Sequence, residues 1–168
     1  PQSGGALLVP NHVSFIDGFL LITSLDRPVR FVVDSHYAEQ PLFKPFMKAL
    51  GVIPISTHGG VRSILRALRE ASAAVDRGEL VCIFPEGRIT YDGELSPFRQ
   101  GVQKIVERVP VPVYPMALRG LWGSFFSRYG GAAFSRPVEA RLRRGLRSRV
   151  EVVVGEPLPP GDVTPELL

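Results

Sequence analysis

The stretch RSILRALREASAAVDRGELVCIF (residues 62–84) joins two periodicities. From 62 to 76 the apolar residues recur at helical spacing. Ile64, Leu65, Leu68, Ala71 and Val75 share one face, and Arg62, Arg66, Arg69, Glu70 and Asp76 lie largely elsewhere. Gly78 closes the helix. Residues 80–84 are then continuously apolar, as in a strand covered on both faces.

Outward from this unit the alternation continues. Further strand-like runs fall at 6–10, 29–33, 52–55, 111–118, 138–142 and 150–154, and helical patterns at roughly 15–25, 42–50 and 99–108. Strands alternating with helices predict an α/β fold: a mixed, mainly parallel central sheet of about seven strands flanked by helices. No internal repeat or long linker divides the chain, so residues 1–168 are expected to form one domain. The chain starts at Pro1 and ends on TPELL, a helix start with no helix behind it. It therefore reads as a domain taken from a longer multidomain or membrane-associated protein.

Composition narrows the partners. With 45% hydrophobic residues the chain is globular, and its 16 prolines and 17 glycines form no low-complexity tract. A net charge of +4 suits an anionic partner such as a membrane surface, a nucleic acid or an acidic protein. No nucleic-acid-binding motif accompanies the charge, and nucleic acid is not expected. The single Cys82 allows no internal disulfide and no cysteine-based metal site, which fits a reducing compartment. No run reaches the length of a membrane span, and no signal peptide is visible.

Two polar clusters follow strands. The run 6–10 leads into Asn11-His12, and 80–84 leads into PEGRIT (85–90). In open α/β sheets, sites gather beyond the carboxyl ends of parallel strands, so the two clusters are expected to form one site. Asp17 stands among Phe15, Ile16, Phe19 and Leu20, where an unpaired carboxylate is costly. Five residues separate it from His12, about 140° round a continuous helix, which pairs them poorly. With His12 in the turn before a helix and Asp17 in its first turns, the carboxylate reaches one ring nitrogen and leaves the other as a general base. Ser14 is the expected N-cap. No G-x-S-x-G elbow supplies a serine nucleophile. Such a dyad suits a reaction whose substrate brings its own nucleophile, such as a hydroxyl attacking an activated acyl group. No metal is expected, because His12 and Asp17 lack further ligands at metal-like spacing.

Taken together, NHVSFID (11–17), GVIPI (51–55), FPEGRIT (84–90) and VPVYP (111–115) resemble, in order, the four motifs of the glycerolipid and lysophospholipid acyltransferases related to 1-acylglycerol-3-phosphate acyltransferase. The resemblance covers nearly the whole chain. It implies that His12 deprotonates the acceptor hydroxyl, that Asp17 orients His12, and that the hydroxyl attacks the acyl thioester with no covalent enzyme intermediate. It also implies that Glu86 and Gly87, with a nearby arginine, hold the acceptor head group. Asn11 either caps its turn or bonds within the site. Arg88 is a candidate acceptor contact, and Arg99 either opens a solvated helix or meets phosphate or carrier. No resident cofactor is implied. The co-substrate is acyl-acyl carrier protein or acyl-CoA.

Two departures bear on the acceptor. The arginine usual after the second motif is absent, since GVIPI continues as STHGG, and the usual Thr-Arg of the third motif is Arg88-Ile89. A lysophospholipid phosphodiester is therefore preferred over lysophosphatidic acid. FPEGRIT most resembles the acyltransferase part of bifunctional 2-acylglycerophosphoethanolamine acyltransferase/acyl-acyl carrier protein synthetases. The expected location is the cytoplasmic face of a membrane, peripheral or tethered by other segments. Two stretches are candidates for that surface: Trp122, Phe125, Phe126 and Tyr129, spaced as one helical stripe, and the five arginines between 141 and 149. The rival readings are a non-catalytic membrane- or carrier-binding module and a thioesterase.

Overall fold

The computed structural model describes residues 1–56, 58–124, 126–129 and 149–168. Six strands form one sheet: β1 (Ala6–Pro10), β2 (Val29–Asp34), β3 (Ile53–Ile55), β4 (Leu80–Cys82), β5 (Val113–Arg119) and β6 (Glu151–Val154). Their order is β3-β2-β4-β1-β5-β6. Every neighbouring pair is parallel except β5 with β6. The expected architecture is therefore present, with six described strands. The strand expected at 138–142 lies outside the described residues.

The central strand shows why its sequence lacks alternation. All five residues of β1 are buried. Leu7 and Val9 join a core with Ala67, Leu68, Ala71 and Val75 of α4 (Gly60–Asp76) and with Val102 and Ile105 of α5 (Gly101–Val106). Ala6 and Leu8 join a second core on the opposite face, with Leu21 of α1 (Asp17–Ser24), Phe31, Cys82 and Met116. Side chains alternate across a strand, so a sheet with helices on both faces needs apolar residues at both parities.

Helix α4 ends as its sequence indicates. Gly78 adopts φ +87°. Its N–H donates to the Val75 carbonyl at 3.0 Å, and the Glu79 N–H donates to Ala74 at 3.1 Å. This is a Schellman closure, which favours glycine because a side chain at positive φ is strained. Two shorter helices lie between β2 and β3: α2 (Ser35–Ala38), capped by the Asp34 side chain accepting from the His36 N–H at 2.8 Å, and α3 (Lys44–Ala49).

Two local expectations are corrected. The N-cap of α1 is Ile16, not Ser14, because the Ser14 hydroxyl is turned to Asp17. Trp122, Phe126 and Tyr129 do not lie on a helix, and Phe125 lies outside the described residues. The described part of that segment runs through turns and bridges Ser127 to Ser14. Of the arginines between 141 and 149, only Arg149 lies within the described residues, where it pairs with Glu151 at 3.2 Å.

Candidate active site

β1 and β4 are parallel neighbours, so the segments after them leave the sheet on the same edge. Residues 11–17 form a tight turn wrapped round the Asp17 carboxylate. Oδ2 accepts from the backbone N–H groups of Val13 (2.8 Å) and Ser14 (2.9 Å) and contacts His12 Nδ1 at 2.8 Å. Oδ1 accepts from the Ser14 hydroxyl at 2.6 Å. Asp17 is fully buried, and these donors offset the cost of burying its charge. An ionised carboxylate only accepts, so the Nδ1 contact assigns the ring proton to Nδ1. Nε2 of the neutral ring then carries the free lone pair.

Two further groups hold the histidine. Phe84 stacks on the imidazole, with centroids 4.0 Å apart and planes 22° apart. Glu86 Oε1 accepts from the His12 N–H at 2.7 Å, while its Oε2 accepts from the Ser96 N–H at 2.9 Å. The Thr90 N–H donates to the His12 carbonyl at 2.9 Å. The His12 side chain itself is 21% exposed, enough to meet a substrate.

The other expected residues divide into two groups. Glu86 is only 3% exposed, and both its oxygens are engaged by backbone, so it positions His12 rather than facing an acceptor. Asn11 likewise serves the scaffold. Its Nδ2 donates to the Leu118 carbonyl at 3.2 Å and its Oδ1 accepts from the Leu118 N–H at 2.6 Å, tying the end of β1 to β5. Glu86 was expected to hold the acceptor head group and Asn11 either to cap its turn or to bond within the site; in the structure the hydrogen bonds of both go to backbone groups. Gly87, Arg88 and Arg99 are exposed. Gly87 has φ +67°, which favours glycine in this turn; an added Cβ would stand 2.8 Å from Nε of the exposed Arg99 side chain, which is free to move aside. Arg88 points to Ser96 Oγ at 3.3 Å and lies 5.6 Å from the Tyr91 ring centre.

Sequence reasoning did not single out Phe84 and Ser14 as partners of the dyad, although both lie inside the quoted motifs. Arg128 was also missed. It stands outside every motif, and its position near the site depends on the bridge between Ser127 and Ser14. Cys82, beneath the site, is a buried core residue. Burial, and secondarily the Asp17 charge, push its thiol well above the usual range.

Fold and site together define an α/β domain with a histidine–carboxylate dyad at the carboxyl edge of a mainly parallel sheet. The acyltransferase family model matches residues 1–119, and the chain belongs to that family. It is similar to a chloroplastic 1-acyl-sn-glycerol-3-phosphate acyltransferase of Brassica napus, 34% identical over 112 residues that cover 67% of this chain and 32% of the relative. A probable 1-acyl-sn-glycerol-3-phosphate acyltransferase of Mycoplasma pneumoniae is 24% identical over 159 residues, covering 92% of this chain and 57% of the relative. The chain thus spans about a third to just over half of these relatives. The 1-acyl-sn-glycerophosphate acyltransferase structure from Thermotoga maritima shares the fold, with a TM-score of 0.67, 20% identity, and coverage of 98% of this chain and 59% of that one.

Proposed function

We propose that the protein is an O-acyltransferase that moves a fatty acyl group from a thioester of acyl carrier protein or CoA to the free hydroxyl of a lysophospholipid. The observation that carries this reading is the contact between His12 Nδ1 and Asp17, which leaves Nε2 to act as the base. Nε2 takes the proton of the acceptor hydroxyl as its oxygen attacks the thioester carbonyl. The tetrahedral intermediate collapses with loss of the thiolate, which recovers the proton from the imidazolium. Asp17 stabilises that imidazolium, and Phe84 and Glu86 hold the ring and its backbone in place. The reading needs no metal or resident cofactor.

For the acceptor, a phosphodiester such as 2-acylglycerophosphoethanolamine is our preferred reading. The arginine usual after the second motif is missing. Beside that motif, the depression at the ends of β2 and β3 is lined by Asp34 and Glu39, with His36 and His58. Carboxylates there suit a zwitterionic head group better than a phosphate dianion. Lysophosphatidic acid is the second reading, favoured by the names of the relatives. Mass spectrometry of products from a panel of lysolipids, each offered with both donors, tests the proposal. A higher kcat/KM for lysophosphatidic acid reverses the acceptor preference. Thioester hydrolysis that ignores every acceptor favours a thioesterase, and no thioester consumption at all favours a binding module.

We further propose that the domain meets the bilayer through α1 and α3. No residue of α3 is buried. Phe19 of α1 stacks on Phe46 of α3 with centroids 5.7 Å apart, and Leu42, Phe43 and Phe46 are all exposed. Lys44 and Lys48 flank these rings and are exposed too. An apolar surface with a basic fringe suits an anionic lipid interface. Phe19 is two residues from Asp17, so this surface would adjoin the dyad. Among the described residues no helix is long and apolar enough to cross a membrane.

A further inference from the structure

Arg128 lies between two aromatic rings. Its guanidinium carbon is 4.7 Å from the Tyr91 ring centre and 5.7 Å from that of Phe15. Its Nε is buried and has no hydrogen-bond partner among the described residues. A buried charged donor left without an acceptor is costly, and cation–π contacts satisfy the faces of a guanidinium but not its N–H groups. Arg88 shares the same ring, 5.6 Å from the Tyr91 centre, and its only hydrogen bonds among the described residues are long ones to Ser96 Oγ. Neither arginine forms an ion pair with a carboxylate among the described residues. The nearby Asp92 carboxylate is engaged with the Thr90 hydroxyl and the Glu94 N–H.

Two guanidinium groups are thus gathered round one tyrosine with donors to spare. The framework also ties them to the base. The segment carrying Arg128 is stitched to the turn after His12 by the Ser14–Ser127 bridge and by the Phe15 N–H donating to the Phe126 carbonyl at 3.1 Å. Tyr91 follows Thr90, whose N–H donates to the His12 carbonyl.

We propose that Arg128, which stands outside the four motifs, is a further phosphate-binding residue beside His12 and acts together with the candidate acceptor contact Arg88. The inference rests on the acyltransferase reading for the identity of the ligand, whose phosphate belongs either to the lysophospholipid acceptor or to the phosphopantetheine of the donor. A guanidinium grips a phosphate through paired N–H groups, which an ammonium cannot copy.

The chain has one tryptophan, and Trp122 packs edge-on against Tyr129, the residue after Arg128. Its fluorescence therefore reports on this site without any acyl transfer. Titration with sn-glycerol 3-phosphate or glycerophosphoethanolamine should change the emission saturably, and glycerol should not. The change should be lost in Arg128→Gln, weakened in Arg88→Gln and only partly restored in Arg128→Lys, with melting curves run on each variant. Arg88 is exposed, so its variant tests the site even where Arg128→Gln fails to fold. In assays of transfer, Arg128→Gln should raise KM for the phosphate-bearing substrate about 10- to 100-fold with a smaller change in kcat. A rise confined to the lysophospholipid identifies the acceptor phosphate, and a rise confined to the thioester identifies the donor phosphate. Monoacylglycerol, which has no phosphate, separates an acceptor site from general damage. Saturable phosphate binding without any transfer would retain the site and defeat only the acyltransferase reading. Equal responses of wild type and both glutamine variants to the phosphate esters would overturn the proposal.

Discussion

At the scale of the residue, Asp17 does two things that substitution can separate. Its Oδ2 gathers two backbone donors and the imidazole, and its Oδ1 among the described residues meets the Ser14 hydroxyl alone. In Asp17→Asn the amide oxygen can take the Oδ2 place while its NH2 faces Ser14 Oγ, which can accept. The variant should fold yet lose most activity, because a neutral amide no longer stabilises an imidazolium. Asp17→Ala strands buried donors at about 1–3 kcal/mol each and should melt markedly lower. His12→Ala removes the proposed base and should reduce transfer by about 10²–10⁴-fold with the fold intact. Near-normal turnover in a folded His12→Ala protein sinks the mechanism. Cys82 offers a test that needs no substrate. Its thiol, raised by burial and by Asp17, should react with a thiol reagent only as fast as the protein opens. Above the usual thiol range the unfolded chain releases this proton and the folded chain keeps it, so stability falls as pH rises. Cys82→Ala should lack that part of the alkaline slope in equilibrium unfolding.

At the scale of the element, α4 was legible because its cues agree: an apolar stripe, charges elsewhere, and a glycine at the point of closure. Gly78→Ala makes only ordinary contacts, its nearest neighbours being 4.0 Å away, so the cost is the positive φ alone. We expect about 1–2 kcal/mol and a Tm lower by about 2–8 °C in thermal unfolding, without loss of activity at low temperature. The turn at 11–17 was less legible. Ser14 carries the usual N-cap side chain, but a charged acceptor three residues on holds its hydroxyl, and α1 starts at Asp17 without a side-chain cap. The strand expected at 80–84 stops at Cys82 by its ladder. The Ile83 N–H still bonds to Leu8, and then Phe84-Pro85 turns away and puts Phe84 over His12.

At the scale of the molecule, the proposed lipid-facing surface makes a prediction in two parts. Binding to anionic vesicles should weaken with salt, since each lysine near such a surface contributes about 1 kcal/mol that ions screen. Lys44→Gln with Lys48→Gln should remove most of that salt-sensitive part. Phe19→Ser with Phe46→Ser should lower the salt-resistant part in flotation assays while changing Tm little, because Phe19 is 56% exposed. A large loss of Tm with unchanged vesicle binding per folded molecule rules this surface out. The spacing at 122–129 indicated a helical stripe there instead, but residue spacing reports a face only where a helix forms. The described part of that segment runs through turns against the His12 loop.

The layered α/β plan and the gathering of two motifs at one sheet edge follow from sequence alone, because apolar periodicity and strand polarity are local properties that a parallel sheet converts directly into position. The pairing of His12 with Asp17 was legible for the same reason, since five residues of turn confine both groups to one small volume. Tertiary structure alone decided what distant groups do. Asn11 and Glu86 look like polar site residues in sequence, yet backbone groups up to 107 residues away claim their hydrogen bonds. Arg128 reaches Phe15 and Tyr91 across long stretches of chain. The exposure of α3 depends on what fails to cover it. Such properties depend on which surfaces meet, and no local pattern of residues records that.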